Sequence, residues 1–179
     1  LPALSQAREK AWEISCINSL GQIGLAMTMY ADDNHEWFPY SAAGFPFDMY
    51  TAPYGLNGGN LKCPSDDVKR TLTVGLPTIH PPRSYSVNMQ VVGWPVPGYP
   101  PFRRTAVTIA SGTLLAQEWW QEGNQVGYGP QSGMNMWGGR YAFPYHRGGE
   151  HYLFCDGHVS WLTGDLWLPR NLFTVDSND

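Results

Sequence analysis

Cys16, Leu20, Ile23, Met27 and Tyr30 recur at spacings of four, three, four and three residues. That period puts all five on one face of an α-helix and predicts a single helix over residues 3–31. A helix with one apolar stripe must bury it against another layer, so this stripe limits the folds open to the chain. Before Ile14 the stretch is more polar, with Arg8, Glu9, Lys10 and Glu13, and this portion is expected to stand clear of the rest. Gly21 and Gly24 lower intrinsic helicity but permit a close backbone approach, as by a strand. Asp32-Asp33-Asn34 is expected to end the helix.

The partner layer is signalled near the C-terminus. His151-Tyr152-Leu153-Phe154-Cys155 and His158-Val159-Ser160-Trp161-Leu162 flank Asp156-Gly157. Asp-Gly between two such runs predicts a hairpin with a two-residue type I′ turn, which needs positive φ at both turn residues. In that register Cys155 faces His158, Phe154 faces Val159 and Tyr152 faces Trp161. Tyr152, Phe154, Val159 and Trp161 then form the core face, and His151, Leu153, Cys155, His158, Ser160 and Leu162 the other. Further strand candidates are Ser84 to Val92 and Thr113 to Glu118. Gly123 to Tyr141 reads as an exposed loop, and no internal repeat is evident. A lone two-stranded ribbon is marginal. The expected fold is therefore α+β, a long N-terminal helix packed on an antiparallel sheet and rich in loops.

With 179 residues, residues 1–179 are expected to form one domain, with 1–33 the helix and 34–179 the sheet and loops. A net charge of −4 offers no nucleic-acid surface. Charged residues make up only 15%, while Gly 20, Pro 15 and aromatics at 14% are abundant. That mixture suggests short elements and long irregular loops, with aromatics filling the gaps. Three cysteines fit an exported protein with one disulfide and one spare thiol, or three buried free thiols.

Four stretches carry a resemblance. They are residues 1–34, with Ala7-Arg8-Glu9-Lys10-Ala11, Ser15-Cys16 and Tyr30-Ala31-Asp32-Asp33-Asn34; Leu61-Lys62-Cys63-Pro64-Ser65; Ser84-Tyr85-Ser86-Val87-Asn88 with Ser111-Gly112-Thr113-Leu114-Leu115-Ala116; and His146, nine intervening residues, then Asp156-Gly157-His158-Val159. Together they resemble the prepilin-type processing-associated H-X9-DG proteins, related to the pseudopilins of type II secretion. One departure is Cys155, where that family usually has a small residue. The resemblance implies a non-catalytic, pilin-like head that joins other pilin-like subunits through an upstream apolar helix, cut by a prepilin peptidase and held in the inner membrane. It places the head in the bacterial envelope, in the periplasm or at the cell surface. Leu1-Pro2-Ala3-Leu4 is then expected to be the tail of that apolar segment. Because Cys16 and Cys63 both sit in motif positions, they are the expected disulfide; its roughly 47-residue loop would contribute about 4 kcal/mol in the entropic account. Calcium enters only by analogy with some relatives, without a matching ligand motif.

Several constellations bear on chemistry. His146, Asp156 and His158 are candidate metal ligands, since imidazoles and a carboxylate suit a transition metal; the turn explains Asp156 and Gly157 without a ligand, which makes His146, Asp156 and Gly157 a structural motif. In it, His146 is expected to hydrogen-bond back to the hairpin or a nearby loop. Asp32, Asn34 and Glu36 mimic the start of an EF-hand loop, but Trp37 replaces its glycine and Ala43 its bidentate acid. Nucleophilic catalysis has little support: there is no Gly-x-Ser-x-Gly, no phosphate-binding glycine loop, and Cys155 precedes a turn rather than a helix. Trp94/Tyr99/Phe102, Trp119/Trp120 and Tyr141/Phe143/Tyr145 could stack on sugars, so the alternative function is a cell-surface polysaccharide-binding module.

Overall fold

The computed structural model describes residues 2–41, 47–67, 83–93, 100–119, 146 and 148–163. Its first element, α1 (Pro2–Asp33), carries the predicted stripe. Cys16, Leu20, Ile23 and Met27 are fully buried, and Tyr30 is half-buried. Residues 3–15 are exposed or partly exposed, with Leu4 at 71% and Ile14 at 57%. The helix ends as its Asp and Asn residues predict. The Asn34 side-chain amide donates to Tyr30 O at 2.7 Å, and Glu36 N donates back to Ala31 O at 2.8 Å. His35 and Glu36 take left-handed backbone at φ 55° and 69°, a conformation that unwinds a helix end.

The second layer is a four-stranded sheet in the order β1 (Tyr85–Val87), β2 (Leu114–Glu118), β3 (Gly149–Phe154), β4 (Val159–Thr163). Each neighbouring pair is antiparallel, so the fold is α+β as expected. Of the short helices, α2 (Phe47–Thr51) packs on α1 and α3 (Met89–Val92) follows β1 closely in the chain. Ser84 to Val92 is thus only partly strand: it pairs through Val87, then Asn88 caps a turn of helix by accepting Gln90 N on its Oδ1. The predicted loop from Gly123 to Tyr141 lies outside the described residues.

α1 crosses β2, β3 and β4, and the main core forms between them. Of the two helix glycines, Gly24 is where the sheet comes closest. A Cβ there would meet the Leu153 methyls at 3.1 and 3.2 Å, whereas at Gly21 it would meet nothing. Nine in ten real Cβ contacts are looser than that, so Gly24 sets the depth to which β3 approaches the helix.

The hairpin is where expectation and structure part. The observed register pairs Leu153 with Val159, Tyr152 with Ser160 and His151 with Trp161, one residue away from the predicted one. The turn has three residues, not two. Gly157 N donates to Phe154 O, Phe154 N donates to His158 O, and Gly157 alone in the turn has positive φ, 92°. A turn followed by a left-handed glycine is the usual three-residue hairpin loop. The cause is nonlocal: Cys155 N donates to Thr113 O at 2.9 Å and Asp156 N to Ala110 O at 3.2 Å. The first bond takes Cys155 out of the β3–β4 ladder and into the turn, and the second holds Asp156 beside it.

A one-residue slip moves every side chain of one strand to the other face relative to its partner. Leu153 and Cys155 therefore join Val159 beneath α1. Tyr152 and Phe154, expected in the main core, instead form a smaller cluster with Leu114 and Leu162 on the far face. Trp161, also expected in the core, is 40% exposed. Leu114 joins the far cluster and Leu115 the main one, as the alternation of side chains along a strand requires, and the β2–β3 register shifts between Leu114 and Ala116.

Candidate functional site

Below the middle of α1 the core is not apolar. Cys16 on the helix and Cys63 in the loop after α2 are joined in a disulfide, Cα to Cα 5.4 Å, and Cys155 is the free thiol. Burial pushes the Cys155 thiol up to about 12, helped by Asp156, which leaves it a poor nucleophile.

Cys63 is held from behind. Its N–H donates to Ser84 Oγ at 2.9 Å, and that hydroxyl donates to Asp66 Oδ2 at 2.5 Å. Ser84 N donates to Leu61 O, and its carbonyl accepts Trp119 N. One serine thus stitches the cysteine loop to the end of β2. Beside it Arg83, wholly buried, is paired with Asp48 at 2.8 Å.

The titratable centre lies next to the disulfide. His146 Nε2 stands 3.6 Å from Cys63 Sγ and 3.0 Å from Glu118 Oε1. Glu118 Oε2 accepts the backbone N–H of His151 at 2.9 Å, and the His151 ring nitrogen Nδ1 is 3.5 Å from Oε1. The two imidazoles meet edge-on with centroids 4.8 Å apart. The side chains of Glu118 and His146 are fully buried and that of His151 is 1% exposed. Burial by itself would push the Glu118 carboxyl up, but the contacts from His146 and His151 outweigh it and hold the group below its ordinary value. Despite the short separations, Glu118 Oε1 and His146 Nδ1 have no donor or acceptor aligned for a hydrogen bond.

Glu150, one residue before His151, is different. Burial, followed by repulsion from Glu118, pushes it up to about 8, and Tyr152 OH donates to its Oε2 at 3.2 Å. Two buried glutamates on adjacent strands are thus pushed in opposite directions, because only Glu118 faces imidazoles.

The structure separates the candidate ligands His146, Asp156 and His158. Asp156 and His158 are partners in the exposed turn, with Oδ1 2.6 Å from Nδ1 and 3.1 Å from the His158 N–H that it accepts. Slight burial raises the Asp156 carboxyl, and the His158 contacts outweigh this and lower it. His158 stacks flat on Phe154 at 4.3 Å. His146 sits at the opposite end of β3, paired with Gly149 by an isolated bridge. Its carbonyl accepts the Trp161 indole N–H at 2.9 Å, so the expected bond back to the hairpin is made by the backbone while the imidazole turns inward.

Asp32 and Glu36 both take Arg104, Asp32 at 2.7 Å and Glu36 through two hydrogen bonds of 3.0 Å; Ala43 lies outside the described residues. Of the aromatic groups, Trp119 is buried, Phe102 is 38% exposed, and Trp94, Tyr99, Trp120, Tyr141, Phe143 and Tyr145 lie outside the described residues. The ring of exposed Trp37 is covered by the Arg103 guanidinium at 4.9 Å.

Glu118, Glu150, His151 and Arg83 escaped the sequence reading as site residues. Glu118 ends the strand candidate that contains Leu114-Leu115-Ala116, where a buried acid is uncommon, and that is the available signal. The predicted hairpin register, one residue from the observed one, puts His151 on the outer face.

A family model described as a protein of unknown function (DUF1559) matches residues 5–54, from the first turns of α1 to just beyond α2. That family is one of prepilin-type and pseudopilin-associated proteins. No curated protein and no solved structure matches the chain.

Proposed function

We propose that the chain is a non-catalytic pilin-like subunit, the head of a membrane-anchored pseudopilin in a type II secretion or type IV pilus-like system. The observation that carries this reading is the division of α1. Its second half supplies the apolar stripe to the core, while residues 3–15 project with their side chains largely in solvent. A helix this long, about 48 Å at 1.5 Å per residue, is far longer than the sheet requires. The family match covers this same region. Among the described residues no helix is long and apolar enough to cross a membrane; the resemblance to prepilin-type proteins is what implies an apolar anchor on the N-terminal side of α1. That apolar stretch would lie in the inner membrane or the filament core and contact other pilin-like subunits, with the head in the periplasm or at the cell surface. The buried, unreactive Cys155 suits a structural role.

The test uses the full-length gene product in its own cell envelope. Cysteines introduced as Leu4→Cys and Ile14→Cys should yield cross-links between copies, and the protein should fractionate with the inner membrane. A freely soluble protein without cross-links would overturn the reading, as would turnover of an ester, peptide or glycoside that is lost on His146→Ala.

A further inference from the structure

We propose that Cys16, Cys63, His146 and Glu118 form a closed zinc site when the two cysteines are reduced, so that disulfide and metal are alternative ties across the same point of the fold. This rests on the buried cluster and not on the pilin-like reading.

Among the described residues these four are the group whose ligand atoms converge, all within 4.8 Å of one another and all buried. Two thiolates, an imidazole and a carboxylate are donors that zinc accepts, and four protein ligands leave no open position, the mark of a structural site. The separations already approach those of a tetrahedron. With Zn–S near 2.3 Å and Zn–N near 2.0–2.1 Å, ligand atoms lie about 3.3–3.8 Å apart; Cys63 Sγ to His146 Nε2 is 3.6 Å and His146 Nε2 to Glu118 Oε1 is 3.0 Å. Breaking the sulfur–sulfur bond requires the sulfurs to part by about 1.7 Å, which rotation about the two χ1 angles supplies.

Three features orient the ligands from behind, as metal sites require. Ser84 Oγ fixes the Cys63 backbone, the His151 N–H fixes Glu118 through Oε2 and leaves Oε1 toward the cluster, and Trp161 fixes the His146 carbonyl. Glu118 Oε1, buried and lacking an aligned donor, points where the ion would lie. The four ligands come from α1, the loop after α2, β2 and the approach to β3. A metal would therefore join the helix to β2 and to the segment leading into β3, where the disulfide joins it only to a loop.

A dithiol reductant gives two electrons and two protons to the cystine, which becomes two thiols, while the reductant becomes its own disulfide. Zn²⁺ then displaces both thiol protons to solvent and binds the thiolates, His146 Nε2 and Glu118 Oε1.

The experiment reduces the whole chain with a phosphine under anaerobic conditions and titrates it with Co²⁺, then Zn²⁺. One Co²⁺ per chain should bind, with thiolate-to-cobalt charge-transfer bands and the intense visible bands of a tetrahedral ion, and Zn²⁺ should displace it. The oxidised protein should show neither. Cys155→Ser should bind as wild type, whereas His146→Ala and Glu118→Gln should each weaken binding by about a hundredfold or more. Should the reduced chain unfold, Zn²⁺ must restore its native circular dichroism and dispersed NMR spectrum. Octahedral spectra, wild-type affinity in both ligand variants, or a reduced chain that zinc neither binds nor refolds would each overturn the proposal.

Discussion

The two ends of residues 146–157 sit about 20 Å apart, one strand length, and they are stabilised in different ways. At the Asp156-Gly157 end the groups are exposed and the contacts local: a left-handed glycine, an aspartate bonding two residues on, an imidazole stacked on a neighbouring ring. At the His146 end the contacts reach across the molecule to Glu118, Cys63 and His151, and water is excluded. A motif that looks continuous in sequence is therefore a turn device at one end and a buried electrostatic device at the other. Removing one partner of the same carboxylate–imidazole pairing costs little in the turn, where water screens the charge left behind, and much in the core, where nothing replaces the lost partner.

The sharpest way to break this comparison is His146→Ala. It leaves Glu118 without its nearest imidazole in a dry site, and breaking a buried pair costs about 3–5 kcal/mol. Urea unfolding of the oxidised protein should show that loss; a cost under about 1 kcal/mol would mean that water reaches the site.

The second test uses pH. Glu150 is raised from 4.5 to about 8, so its contribution to stability is complete below about 4.5 and is lost as pH rises through about 8. Above that the folded protein carries a buried charge. Glu150→Gln removes this titration and should gain on wild type by about 2–4 kcal/mol at pH 9, with little difference at pH 4. Unfolding midpoints that fall in parallel for both proteins between pH 5 and 9 would refute it.

At the turn end, Gly157→Val forces a β-branched residue to φ 92° and should cost about 2–3 kcal/mol. Asp156→Ala loses one exposed bond to His158 N and should cost about 1 kcal/mol in the same assay. Smallest of all is the coupling between ends. Sites this far apart should be additive to within about 0.5 kcal/mol, so a double-mutant cycle of His146→Ala with Asp156→Ala showing more would mean that β3 transmits strain.

What the sequence determined by itself was local. The α1 stripe was legible because a helix period is written in neighbouring residues, and its polar first half was legible for the same reason. The place of the hairpin was legible because Gly157 supplies a backbone conformation that other residues resist. The α+β class followed, since stripe and hairpin each needed the other as cover. Tertiary structure decided the rest. Whether the turn had two residues or three depended on Thr113 accepting the Cys155 amide and Ala110 the Asp156 amide, and that choice set which face of β4 accompanies each face of β3. The face of β3 that meets the helix then placed Leu153 and His151 inward and Tyr152 outward. Glu118 and Glu150 look alike in sequence, yet one is driven down and the other up. Their surroundings come from residues far along the chain, and a charge's free energy in a protein is set by what lies within a few ångströms in space, not by its neighbours in the sequence.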